Sequence, residues 1–577
     1  MFRSLSFVAA FCALLLLGPM AARAQAPADV APADLAGDWS GVLSIQGHDL
    51  HLVFHLDPGG ASTMDSPDQG AKGLPVSAVT ETGGKVRIEL ANLHIAFEAA
   101  RSADPAVLDG QFLQGGASFP LKLARAPLTV GPKAPPPPAD LVGDWWGLLP
   151  APGGLQLHFA FHIRADAAST FDSTDQNITG VPIAGVSEAA GKVRFDLKPG
   201  IAFFEGQHSA DGATIDGQFH QGEAAFPMKL QRGLPPVVNR PQTPKPPFPY
   251  RSEEVGYENT VQKVHLAGTL TLPQGKGPFP VVLMITGSGQ QDRDESLLGH
   301  KPFWVIADYL TRRGIAVLRV DDRGAGGSTG NFAASTTADF VTDVQAGVAY
   351  LKSRPDIDRK HIGLIGHSEG GVIAPIVAAE DPSIAFIVMM AGTGVPGDQI
   401  LLYQEKWALT SSGMASDKVT RQLATNRKIF DLIETDVDAE TAHKQVAALL
   451  TAQLKADGMP PEQVEKGAEQ GAAVFTSPWM RYFAKYDPAP TLRRVRCPVL
   501  ALDGSKDVQV PVELNVPVIK AALKNNPDAT VEVLPGLNHL FQHAGTGMPD
   551  EYAKIEETIS PEALKIIGDW VMAHAGK

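Results

Sequence analysis

Cysteine is nearly absent. The chain has two in 577 residues, and Cys12 falls inside an N-terminal apolar stretch, so Cys497 stands alone in a processed chain and no intrachain disulfide is expected. Packing, not cross-linking, must hold the fold. Positive charge is also scarce: 49 Lys and Arg face 63 Asp and Glu, for a net charge of −14. With no basic cluster to offset it, this balance argues against a polyanion-binding protein, and no nucleic-acid partner is expected. Long apolar runs are missing too. The longest, residues 7–17, is shorter than the ~20 residues a membrane-spanning helix needs, and none follows it, so no membrane span is expected in the mature chain. Arg3 before that run and Ala22-Arg23-Ala24 after it make residues 1–24 a signal peptide. Export without disulfides fits a bacterial periplasm or the extracellular medium.

What is present first is a duplication, residues 34–125 and 140–232. Asp34-Leu35-Ala36-Gly37-Asp38-Trp39 returns as Asp140-Leu141-Val142-Gly143-Asp144-Trp145, and Leu108-Asp109-Gly110-Gln111-Phe112 returns as Ile215-Asp216-Gly217-Gln218-Phe219. Alternating apolar residues with frequent Gly, Pro and Asp punctuation predict short antiparallel strands, hence two tandem all-β domains of barrel or sandwich type. Pro-rich stretches at 126–139 and 233–249 read as stiff linkers. His51 and His55, like His158 and His162, are spaced i, i+4. On a strand that is about 13 Å, too far for one ion, so a solvated face is expected. No metal or cofactor motif is present.

From residue 250 to 577 apolar strands alternate with helical segments, the pattern of a mostly parallel sheet with helices on both faces. A helix-rich insertion at about 396–490 sits where a lid would be. An apolar strand feeds Gly366-His367-Ser368-Glu369-Gly370 and then a helical segment. That is the context of a nucleophile elbow, in which glycines tolerate the turn that lifts a serine hydroxyl clear of the sheet. Gly326-Gly327-Ser328-Thr329-Gly330 has the same spacing but lacks the strand and helix. A serine nucleophile needs a base and an acid to orient it. Two carboxylates follow in Asp503-Gly504-Ser505-Lys506-Asp507, of which Asp507, past the turn, is the expected acid and Asp503 a turn cap. His539 in Asn538-His539-Leu540-Phe541 is the expected base, with His543 its competitor. The oxyanion is expected to meet the amides of Glu369, by elbow geometry, and of Ser288 in Thr286-Gly287-Ser288-Gly289, with Gly289 next.

Together with Gln291-Asp292-Arg293-Asp294 and Asp322-Arg323-Gly324, these motifs resemble the EstD-type bacterial carboxylesterases of the α/β-hydrolase superfamily, which in turn resemble serine aminopeptidases. The resemblance spans about residues 250–577. It implies an α/β-hydrolase fold with a helical lid behind the two β domains, and a carboxylesterase for short-acyl esters with Ser368, Asp507 and His539 as its triad and no cofactor. The charged motifs are expected to pair and fix loops. A peptidase is the alternative, with Asp292, Asp294 or Glu369 to bind a substrate amine; an envelope-binding protein with a vestigial hydrolase domain is a second. The role of the repeats is open, and residues 250–577 are expected to fold and act without them.

Overall fold

The computed structural model describes residues 33–576, apart from 46–47, 59–61, 67–70, 91–94, 103, 115–116, 126–135, 151–155, 166–167, 177, 199–201, 223 and 237–238. The expected signal peptide and most of the first linker lie outside the described residues.

Each repeat is one curled, nine-stranded antiparallel sheet. In the first, the opening strand Gly37–Ile45 pairs with the closing strand Ala117–Ala124 in mid-sheet, leaving Ala71–Pro75 and Ala78–Thr82 as edges. The second repeats this with Gly143–Pro150 on Ala224–Arg232 and edges Ile178–Pro182 and Gly185–Ala189. The edges do not pair with each other, so each sheet is a half-barrel. Alternation along each strand turns one face inward, and the concave face of the first repeat is filled by Trp39, Phe54, Phe97 and Phe112. The buried Trp39 indole donates to the Leu35 carbonyl at 2.8 Å, with the Arg125 guanidinium 4.6 Å from the ring centre; Trp145 does the same with Leu141 at 2.8 Å and Arg232 at 4.3 Å. The histidines at 55 and 162 are not simply solvated, because antiparallel register sets aspartates beside them: His162 lies between Asp144 at 2.8 Å and Asp172 at 3.2 Å, and His55 between Asp38 and Asp65.

The third sheet has eight strands in the order Arg251–Asn259, Val264–Leu272, Ala316–Val320, Phe279–Ile285, Ile357–His367, Ile384–Met390, Val499–Gly504 and Ala529–Leu534. The first two are antiparallel additions; from Ala316–Val320 onward all neighbours are parallel. These inner strands are buried on both faces. Helices Pro302–Arg312 and Pro561–His574 cover one face, and Thr337–Ser353, Gly370–Glu380 and Val512–Leu523 the other. Between Ile384–Met390 and Val499–Gly504 the chain leaves the sheet for a helical insertion, Gly397–Ser411 through Pro478–Lys485, with a core of its own around Phe430 and Leu450. No helix among the described residues is long and apolar enough to cross a membrane.

The second repeat does not stand apart from this sheet. Leu298, Leu540 and Tyr552 enter its apolar core beside Trp145, Phe159 and Phe219. The Leu298 amide donates to the Asp175 carbonyl at 3.0 Å, and the Leu298 carbonyl accepts from Arg240 at 2.7 Å. Arg240 also donates to Ile555, and Gln242 ties Thr558 and Ile559. The second Pro-rich stretch is therefore a docked strap as well as a linker, which its composition does not reveal, since docking depends on the surface it meets.

Candidate active site

Three loops at the carboxyl ends of parallel strands build the site, the edge of such a sheet where ligands bind. The strand Ile357–His367 ends in Ser368, whose φ of +53° lies in the left-handed region. A serine adopts that backbone at a cost of about 1–3 kcal/mol, tolerated where surrounding structure imposes it. The turn closes because glycines flank it: a Cβ on Gly366 would stand 1.9 Å from the Gly370 carbonyl oxygen, and one on Gly370 2.2 Å from that of Ile285. Ser368 is part-exposed while residues 366, 367, 369 and 370 are buried. Ser328 is different in every respect. It is buried, its hydroxyl donates to the Asp321 carbonyl at 2.8 Å and accepts from the Ala267 amide at 2.9 Å, so it ties a loop to the sheet.

Asp507 and His539 meet, although thirty-two residues separate them: His539 Nδ1 lies 2.7 Å from Asp507 Oδ2. The other oxygen, Oδ1, accepts from the amides of Gln509 and Val510, both at 2.8 Å, which holds the carboxylate in one orientation. Asp503 makes no such contact. Its Oδ1 accepts from the Gly504 amide at 3.0 Å, its Oδ2 is buried without a partner, and burial together with the Asp507 charge pushes its pKa well above the ordinary carboxylate range. His543 is exposed and pairs with Glu557 at 2.9 Å. Asn538, fully buried, shapes the base loop by accepting from the amides of Leu540 and Gln542 at 3.0 and 2.9 Å.

The structure also assigns work to residues the sequence left without a role. His367 Nε2 donates to the His539 carbonyl, 3.0 Å away, and its Nδ1 lies 2.9 Å from Glu295 Oε1. Burial opposes charge on this imidazole, but the Glu295 carboxylate outweighs it and the pKa is raised. The same Glu295 oxygen accepts from the Gly287 amide at 2.8 Å. One buried pair thus links the elbow, the base loop and the 286–289 loop. The signal was present in sequence as His367 inside the elbow motif; Glu295 carried none. Gly287 N is committed to Glu295, whereas among the described residues the Ser288 and Glu369 amides have no acceptor. A Cβ on Gly287 would come 3.2 Å from Ser368 Cβ, so the 286–289 loop lies against Ser368.

The acids considered for amine binding are all engaged. Glu369 accepts from Thr337 Oγ1 at 2.6 Å and from the Trp479 indole of the insertion at 2.9 and 3.1 Å, and burial raises its pKa. Asp294 pairs with Arg319 and with Lys301 at 3.4 Å, and Asp292 accepts from the Ser296 amide at 2.9 Å. Asp322 accepts from Thr286 Oγ1 at 2.7 Å and the Gln291 amide at 2.8 Å, and Arg323 pairs with Asp343, so the charged motifs do join loops. A cavity of about 50 Å³ lies behind the elbow, lined by Thr286, Asp322, Glu369 and Ile373 but not by Ser368. Cys497 is half-buried, and burial pushes its thiol up to about 11, which disfavours the thiolate at neutral pH.

Residues 262–534 match the model of the X-Pro dipeptidyl-peptidase (S15) family. Esterase EstD of Thermotoga maritima is 28% identical over 311 residues, 53% of this chain and 65% of that protein. Acyl-coenzyme A thioesterase 5 of Mus musculus is 26% identical over 187 residues, 31% of this chain and 39% of that protein. The chain thus spans less than two thirds of the length of either relative. Among solved structures, the Pyrococcus furiosus esterase Pf2001 is 16% identical with a TM-score of 0.35, covering 60% of this chain and 100% of that one. Est1E from Butyrivibrio proteoclasticus, with ferulic acid bound, is 17% identical with a TM-score of 0.33, covering 56% and 100%. From Arg251 onward the chain is an α/β-hydrolase domain with sequence similarity to esterase EstD, carried behind a duplicated β-rich region.

Proposed function

We propose that this chain is an exported serine carboxylesterase that cleaves short-acyl carboxylic esters. Ser368 is the nucleophile, His539 its base, and Asp507 the acid that holds His539 in the tautomer with Nδ1 protonated, leaving Nε2 to accept the serine proton. Attack on the ester carbonyl forms a tetrahedral intermediate whose oxyanion takes hydrogen bonds from the Ser288 and Glu369 amides. His539 then passes the proton to the leaving alcohol, and water, activated by the same base, releases the acid from the acyl-enzyme. The observation that carries this reading is the 2.7 Å contact of His539 with an Asp507 carboxylate clamped by two further amides, beside a strained serine elbow. The similarity to EstD supports an ester as substrate.

A peptidase is the second reading, favoured by the match of residues 262–534 to the X-Pro dipeptidyl-peptidase model. Against it, each acid near the elbow already has protein partners. Rates over a panel of p-nitrophenyl esters of increasing acyl length, beside aminoacyl and X-Pro anilides, separate the two. Fast short-chain esters with inert anilides are expected; turnover of anilides alone would overturn the esterase reading.

A further inference from the structure

The two repeats share backbone contacts but differ in chemistry at one position. In the first, Arg101 ends the strand Ile95–Arg101 and its guanidinium bridges two carboxylates: Glu81 on the edge strand, at 3.0 and 2.7 Å, and Asp34 in the turn ahead of the first strand. In the second, the equivalent of Arg101 is His208, at the end of Ala202–His208, and the two acids return as Glu188 and Asp140. The scaffold is the same, since the Arg101 amide donates to Gly84 at 3.0 Å and the His208 amide to Gly191 at 3.2 Å. The imidazole does not replace the guanidinium. His208 Nδ1 is 3.5 Å from Asp140 Oδ2, and a Glu188 carboxylate oxygen lies within 4.8 Å of a ligand atom of each, so two acids face one imidazole where in the first repeat they face one guanidinium.

We propose that Asp140, Glu188 and His208 bind a divalent metal ion of the zinc class, which supplies in the second repeat the positive charge that Arg101 supplies in the first. One ligand atom from each residue already lies within 4.8 Å of the other two. A tetrahedral ion with bonds of about 2.0–2.2 Å sets its ligand atoms roughly 3.3–3.5 Å apart, a spacing that His208 and Asp140 meet, with Glu188 within 4.8 Å of both. An imidazole with two carboxylates selects a first-row transition ion over calcium or magnesium, which prefer oxygen alone. Asp140 is 56% exposed, so an ion has an entry path and a water can fill the fourth position. The ion fastens the turn before the central strand Gly143–Pro150 to the edge strand Gly185–Ala189 and to Ala202–His208. Each ligand sits on a different element, which is why no motif in the sequence announced the site.

The test uses the full chain, stripped with a chelator and titrated with zinc chloride by calorimetry, with melting followed in parallel. The wild type is expected to bind one equivalent more than either His208→Arg or Glu188→Gln, and zinc is expected to raise its melting temperature but not theirs. His208→Arg rebuilds the first repeat's bridge, so it should melt no lower than the zinc-free wild type, which removes misfolding as an explanation. Arg101→His should gain an additional equivalent. Equal stoichiometry and affinity, within about tenfold, in the wild type and both second-repeat variants would overturn the proposal and leave His208 as a simple ion-pair partner.

Discussion

Replacing Asp507 with Asn tests the acid, because the structure dictates how the variant must fail. The Asp507 side chain is fully buried and accepts from His539 Nδ1, the Gln509 amide and the Val510 amide. In Asp507→Asn the amide oxygen keeps the two backbone donors, so the turn survives and the NH2 group faces Nδ1. Two donors cannot share that contact. His539 must present an unprotonated Nδ1 there, which puts the proton on Nε2 and removes the base from Ser368. The expected loss in kcat is on the order of 10⁴, about 5 kcal/mol of barrier, with melting little changed. Asp503→Asn is the control. Burial and then the Asp507 charge raise the Asp503 pKa well above the ordinary carboxylate range, which favours the neutral acid, so a neutral amide of the same shape should leave kcat within a few-fold. Both follow from steady-state hydrolysis of a p-nitrophenyl ester at pH 8 with melting curves alongside. A larger loss from Asp503→Asn than from Asp507→Asn would refute the assignment of the acid.

Three further outcomes are expected. Ser368→Ala should abolish hydrolysis and labelling by a fluorophosphonate, whereas Ser328→Ala should keep labelling and melt lower, since it strands the Ala267 amide, a cost of about 1–3 kcal/mol; labelling that persists without Ser368 would remove the nucleophile assignment. A chain lacking residues 1–139 keeps Leu298, Leu540 and Tyr552 covered and should retain wild-type kcat/KM, while one lacking 1–249 uncovers all three, about 2 kcal/mol each, beside His539, and should lose more than tenfold in kcat; equal activity of the two would show that the second repeat does not support the base loop. His300, hydrogen-bonded to Thr558 and to the Tyr552 carbonyl, has its pKa lowered by burial from 6.5 to about 4. The unfolded chain therefore binds more protons between these values, so stability is full above pH 6.5 and falls as pH drops toward 4, by at most about 3 kcal/mol; melting against pH should be flatter in His300→Gln, and an unchanged slope would discount this residue.

Much of this architecture was legible in the chain. The duplication, the change from alternating strands to buried parallel ones, and the strand-glycine-serine-glycine-helix order at Ser368 are local patterns, each set by periodicity or by a backbone that only glycine tolerates. Order along the chain after Ser368 was enough to nominate Asp507 and His539. Two carboxylates beside one turn could not be separated by sequence with the same force. What distinguishes them is tertiary: the fold carries Asp507 Oδ2 to His539 Nδ1 and buries Asp503 Oδ2 without a hydrogen-bond partner. The buried link from Glu295 through His367 to the His539 carbonyl joins residues seventy-two and then one hundred and seventy-two positions apart, and nothing local marks Glu295 for it.

Composition marked residues 233–249 as a spacer, and only tertiary structure made part of that stretch a strap. Whether an Arg240 or a Gln242 stays solvated depends on the carbonyls of Ile555, Leu298 and Ile559 being presented to it, and those belong to loops ordered by the rest of the fold. The same holds for the two repeats. Their sequences determine two nearly identical half-barrels, because inward alternation and turn residues are properties of a strand and its neighbours. Which half-barrel closes over Leu540 and Tyr552 is decided by position along the chain and by surface complementarity, neither of which a repeat encodes within itself.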